Sequence, residues 1–174
     1  MSSWEDTTPD VVIHEGEAWG HLYEKMSGKK IPGLLFTAPI SEKEKPWYEL
    51  ITENNFSKST LTKDPVSWNV SKYWQKLLQD SISAGKNSWL HHLHMGAVMM
   101  EQKETIKAKE HFEASIKLKN NFQSLRGLAI LELVAGNLDK AIELYIKAWQ
   151  ESNSNPDLFI EISKLLIDKN KATT

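Results

Sequence analysis

Apolar positions recur at helical spacing through most of the chain, and in its second half they recur as a unit. Over residues 138–150, Ala141, Tyr145 and Ala148 fall on one face of a helix. Thirty-three positions earlier Ala108, Phe112 and Ser115 take the same places, and the helices ahead of them keep the offset, with Gly96 under Ala129 and Met95 under Leu128. Ser163 stands 34 positions after Ala129, preceded by Ile162 and followed a turn later by Leu166. Two adjacent helices therefore repeat as a block, and the third copy supplies only its first helix. Small residues at Gly96, Ala108, Ser115, Ala129, Ala141 and Ala148 allow helix axes to approach, while Phe112, Leu128 and Tyr145 fill the space beside them. One hairpin cannot bury its apolar face alone, but stacked neighbours can.

The N-terminal half lacks this period. Residues 1–14 read as a polar or extended lead in which "DVVIH" is a short strand or a packed arm. "EGEAWGHLYEKMSG" predicts a helix, with Trp19, Leu22, Tyr23 and Met26 at helical spacing and Gly28 at its stop. "KKIPGLLFTAP" is extended and punctuated by Pro32 and Pro39. Ser41 and Glu44 have capping-box spacing ahead of the next helix, whose first turn holds Pro46. "SKYWQKLLQDSISAG" predicts a helix that buries Trp74, Leu77 and Leu78 and ends at Gly85. The expected fold is all-α: a lead over 1–14, an irregular Trp-rich helical region over 15–86, and helical hairpins over 87–170, with the irregular half packed on them as a cap through Leu34, Leu35 and Phe36 or, alternatively, standing as an independent subdomain that leaves the groove open to dimerise or bind in trans. The hairpins divide at 89–121, 122–155 and 156–169.

The repeated block resembles the tetratricopeptide repeat (TPR), a helix-turn-helix unit of about 34 residues with a small residue midway through its first helix and Ala, aromatic and small positions on its second. The likeness covers residues 89–168 as two full repeats and a half, an α-solenoid. The second copy matches best, with Leu125, Leu128, Ala129, Gly136, Ala141, Tyr145 and Ala148. The first departs from it, having His92 at an apolar position, Gln102 to Glu104 in place of the inter-helix glycine, and Asn120 at the usual proline. A looser likeness extends from residue 15 to the end. "EAWGHLYEKMSGKKIPGLLF", "PWYELI" and "SWNVSKYWQKLL" ahead of repeats look like the helical C-terminal region of large bacterial proteins that carry an uncharacterised β-rich, sugar-enzyme-like domain before TPRs. That likeness implies an alternative role, an accessory helical domain of a carbohydrate-processing protein. Trp4, Trp19, Trp47, Trp68 and Trp74 crowd the first half, either as a small aromatic core or as an exposed platform for sugar or peptide.

Composition narrows the function classes. With 174 residues, 40% hydrophobic and 25% charged, the chain has the apolar content for a core. A net charge of −2 gives no basic footprint for nucleic acid. No window has the apolar length of a membrane span, and the acidic "MSSWEDTTPD" is unlike a secretory signal, so a cytoplasmic location is expected. The absence of Cys excludes disulfides, thiolate metal sites and cysteine nucleophiles.

Catalytic chemistry is not in evidence. His14 and His21 are seven apart, about 10 Å of helical rise, too far to share a zinc. His91 and His94 are three apart and can face each other across a turn, but they sit on the first helix of a repeat, where packing or solvation accounts for them. There is no Gly-rich phosphate loop, nucleophile elbow or dinucleotide fingerprint, and Glu15 and Glu17 lack a proton partner. No enzyme activity, metal or cofactor is expected.

What remains is a surface. In the TPR family the first helices of successive repeats line a concave groove. The resemblance places Leu90, Leu93, Ala97, Met100 and Glu101 there from the first repeat, and Gln123, Arg126, Ile130, Leu133 and Val134 from the second. Apart from Glu101, Gln123 and Arg126 this lining is apolar. It suits an amphipathic helix or an extended apolar peptide. The partner is expected to be a protein or peptide, a fused or adjacent domain, or a second copy of the chain.

Overall fold

A computed structural model describes residues 12–14, 20–29, 34–36 and 39–172, with side chains over 22–29 and 39–169. In chain order the elements are β1 (Val12–His14), α1 (Gly20–Ser27), β2 (Leu34–Phe36), α2 (Lys45–Glu53), α3 (Lys58–Leu61), α4 (Lys72–Ser83), α5 (Trp89–Glu101), α6 (Thr105–Leu118), α7 (Phe122–Val134), α8 (Leu138–Glu151) and α9 (Pro156–Ala172). The chain separates into two compact units, Met1–Ser67 and Trp68–Thr174.

In the first unit β1 and β2 pair in parallel, with Val12 opposite Leu34 and His14 opposite Phe36. The side chains of Leu34, Leu35 and Phe36, expected to lie across the repeats, are outside the described residues, as are Trp4 and Trp19. The Ser41/Glu44 box forms as its spacing predicts. The Ser41 N–H donates to Glu44 Oε2 at 3.1 Å, and the Glu44 N–H returns to Ser41 Oγ at 3.3 Å. Pro46 then sits in the first turn of α2, where its missing N–H costs nothing. Trp47 and Leu50 are fully buried, with Phe56 and Leu22 nearly so. The Trp47 indole N–H is spent on Ser67 Oγ at 2.8 Å, and buried Glu49 accepts from the Ser57 N–H and hydroxyl, fixing the start of α3.

The second unit is built from consecutive helical pairs, α5 on α6 and α7 on α8, with α6 and α5 against α7, and α8 against α9. The turns within its two helix pairs share their main hydrogen bonds at an offset of 33. The N–H of Lys103 donates to Met100 O and that of Gly136 to Leu133 O, both at 3.0 Å. Glu104 reaches Met99 O at 2.9 Å as Asn137 reaches Glu132 O at 2.8 Å. These are left-handed turns, with φ +80° at Gly136. At Lys103, where no glycine is present, the backbone takes the same form at φ +61°. The repeat is thus specified by packing on both sides of the turn, even where local chemistry resists it.

The small positions do what their spacing implies. Ala108, Ala129, Ala141, Ala148 and Ser115 have no exposed surface, and the Ser115 hydroxyl, which replaces an Ala of the second repeat, donates to the Trp89 carbonyl at 2.8 Å. A methyl added at Gly96 would lie 2.5 Å from the Phe112 ring, and one added at Gly127 would lie 2.6 Å from it. The ring is held between two glycines on successive first helices. Leu125, Ala129, Tyr145, Ala148, Leu158 and Ile162 continue the core through α7, α8 and α9.

Sequence reasoning placed α4 with the Trp-rich region, whereas contacts group it with the repeats. A buried polar tie joins α4 to α5. His91 of α5 bonds through Nε2 to Ser81 Oγ of α4 at 2.8 Å, and through Nδ1 to Ser88 Oγ at 2.7 Å.

Candidate interaction surface

The positions expected to line the groove divide into three groups. Leu90 and Leu93 are 1% and 0% exposed, so their side chains belong to the core and offer nothing to a partner. Ala97, Met100, Gln123, Ile130 and Leu133 are half-buried, and Ile130 and Leu133 pack with their inner sides on the core cluster. Glu101 and Val134 are open, Val134 at 73%. Arg126 is half-buried and committed. Its Nε and Nη2 both engage the Glu161 carboxylate of α9, at 3.0 and 2.9 Å. The Glu161 hydrogen bond raises the guanidinium pKa further. Tyr145 lies in the same group, where burial and then Glu161 push its phenol up to about 12.

That ion pair ties α7 to α9 and identifies what the sequence reading omitted. It took lining residues from the first two repeats only. Stepping 34 positions on from Arg126 and Leu133 gives Ile160 and Ile167, which are 50% and 52% exposed. The spacing that located the other residues was sufficient to find these.

The histidines are used internally. His91 has both nitrogens engaged as above, and burial lowers its pKa to about 4. His94 packs edge-on against Trp68, ring centroids 5.3 Å apart, and burial lowers its pKa to about 3. His92, which occupies the family's apolar position, meets His111 of α6 with Nδ1 to Nδ1 at 2.9 Å. One ring must hold its Nδ1 proton and the other leave its Nδ1 bare, so the pair is satisfied when neutral. Among the described residues no three His, Asp or Glu side chains converge as metal ligands. The tryptophans of the described residues are mostly packed, Trp47, Trp74 and Trp89 being buried, whereas Trp68 is 47% exposed. No helix among these residues is long and apolar enough to cross a membrane.

Helix pairs of 33 to 34 residues, small residues at the crossings and first helices set side by side define the second unit as a TPR-like helical repeat, an all-α scaffold of the kind that holds other proteins. Its likeness to a solved protein agrees. The structure of a thermophilic TPR protein from Thermus thermophilus superposes with a TM-score of 0.51 at 25% identity, over 55% of this chain and 50% of that one. The match thus spans about half the length of its solved relative. No family model matches the chain, and no curated protein matches it either.

Proposed function

We propose that the chain is a non-enzymatic interaction module which receives an apolar, helical or extended protein segment along the face formed by the first helices of its repeats. The observation that supports this reading is a row of incompletely buried apolar side chains on successive first helices, in which Met100, Leu133 and Ile167 hold equivalent register positions. Met100 and Ala97 come from α5, Ile130, Leu133 and Val134 from α7, and Ile160 and Ile167 from α9. Charge flanks this face. Arg126 and Glu161 neutralise one another, while Glu101, the amide of Gln123 and, at the register of Ile130 and Val134 on α9, Lys164 and Asp168 stand beside the apolar row. A partner is therefore selected chiefly by apolar shape, with a few polar contacts to fix its direction.

Capture from native lysate with the full chain, run beside Met100→Lys and Val134→Lys, tests it. Both substitutions fall on incompletely buried side chains and should leave the helical circular dichroism unchanged. The account expects a partner retained by the original chain and by Lys147→Ala on α8, and lost with both lysine variants. Equal retention by all four would reject the groove.

A further inference from the structure

At one crossing the two full repeats differ in chemistry. Thirty-three positions after His92 and His111 stand Leu125 and Leu144, which belong to the packing of the second repeat's core cluster. An apolar pair therefore meets the demands the fold makes there. In the first repeat both partners are imidazoles, one from α5 and one from α6, and they face each other with Nδ1 to Nδ1 at 2.9 Å. A single replacement would set one ring nitrogen against a leucine. The replacement is instead matched on both helices, and it brings two ligand atoms together.

Their setting separates these two rings from their neighbours. His91 has both nitrogens engaged by Ser81 and Ser88, and His94 is buried against Trp68. His92 and His111 are only half-buried, and their rings meet end to end with centroids 5.2 Å apart. In the neutral pair one ring holds its proton on Nδ1. That ring has only to carry the proton on Nε2 instead, and two Nδ1 lone pairs become available to one cation with no net change in protonation.

We propose that His92 and His111 form a two-imidazole site for a divalent transition-metal ion that takes nitrogens at a right angle, Cu²⁺ or Ni²⁺. Spacing selects the class. Two nitrogens each about 2.0 to 2.1 Å from one ion stand ~2.9 Å apart at a right angle and ~3.3 Å apart at the tetrahedral angle of zinc. The observed separation is that of the first case, and turning each ring toward solvent aims both lone pairs at the ion. The rest of the shell is water, since the described residues bring no third His, Asp or Glu to the pair. Local charge does not oppose a cation. The Glu110 carboxylate favours positive charge at the His111 ring, and Lys107, one turn before His111, is paired with Glu104 at 3.3 Å. The ion ties α5 to α6 in the hairpin whose own turn lacks a glycine and holds Lys103 at positive φ.

Isothermal titration of the chelator-stripped full chain with CuCl₂, NiCl₂ and ZnCl₂ tests the site. One ion per chain is expected, with Cu²⁺ and Ni²⁺ both held more tightly than Zn²⁺. His92→Leu together with His111→Leu copies the side chains of the second repeat, so it should keep the helical circular dichroism while the dissociation constant rises at least about tenfold. His14→Ala together with His21→Ala should leave binding unchanged. Paramagnetic Ni²⁺ gives a reading that needs no variant. The ring NMR signals of His92 and His111 should broaden ahead of those of His91 and His94. No saturable site, equal affinity in the leucine variant, Zn²⁺ held as tightly as Ni²⁺, a site lost with His14 and His21, or broadening led by His91 or His94 would overturn the proposal.

Discussion

Single residues decide how closely the first helices of this repeat approach. The Phe112 ring is 2% exposed and lies against the backbones of both Gly96 and Gly127, so each glycine is required for lack of a side chain. Gly127→Ala should therefore cost about 1 to 3 kcal/mol by overpacking. Adding Phe112→Leu to the same chain should return part of that loss, because the smaller side chain vacates the space the methyl needs. Urea denaturation checks both, and a Gly127→Ala chain as stable as the original would remove the sandwich. Gly96 was legible in the sequence because it repeats as Ala129. Gly127 was not, since the positions 33 before and 34 after it are His94 and Glu161, and periodicity carries no signal there. Lys103 is the converse case, a residue out of place by local chemistry and held by its surroundings. Its φ of +61° is the conformation that Gly136 takes at no steric cost. Lys103→Gly should raise stability by about 0.5 to 1 kcal/mol, visible as a higher midpoint in thermal unfolding, and Gly136→Ala should lower it by a similar amount.

At the scale of elements, α4 and α5 are joined through groups that must stay neutral. Burial lowers the pKa values of His91 and His94 to about 4 and about 3, from an ordinary value near 6.5. Burial lowers His92 and His111 as well. The unfolded chain thus takes up protons before the folded one does. Stability contributed by these rings is complete above pH 6.5 and falls progressively as the pH drops from 6.5 toward 4. Further acid reaches Glu132, whose bonds to Lys140 and Asn137 hold it at about 2, so the link between α7 and α8 weakens as the pH falls below the usual carboxylate range. Denaturation midpoints at pH 7.5 and 5.0 should differ markedly, the lower value at pH 5.0. NMR titration should find the His91 and His94 rings unprotonated at pH 5.5. A flat stability profile across that interval would contradict the tie. Helix starts and stops were legible where local chemistry sets them, as at the Ser41 box, Gly28 and Gly85. The allegiance of α4 was not. It depends on which distant helix accepts Ser81 and Trp74, and sequence spacing says nothing about a contact made once.

Taken whole, the chain joins a smaller unit to a helical repeat, and the repeat was the most legible part because its constraint is stated two and a half times. The proposed groove rests on register alone. Family register selects a face of a helix, but burial along that face varies with what the neighbouring helices cover, so Leu90 and Leu93 went to the core while Val134 stayed open. The residues of α9 were passed over because a lone half-repeat has no partner helix to complete its pattern. The account's central claim is that the row running from Met100 through Val134 to Ile160 is where a protein partner lies. The most direct measurement places a photo-crosslinking amino acid at Met100, Val134 or Ile160, and for comparison at Lys117 or Lys147 on the second helices, in the full chain within its native cells. The account predicts one partner cross-linked from all three first-helix positions and from neither control. Adducts of equal yield at Lys117 and Lys147, or none at the three first-helix positions alongside a partner captured elsewhere, would contradict it.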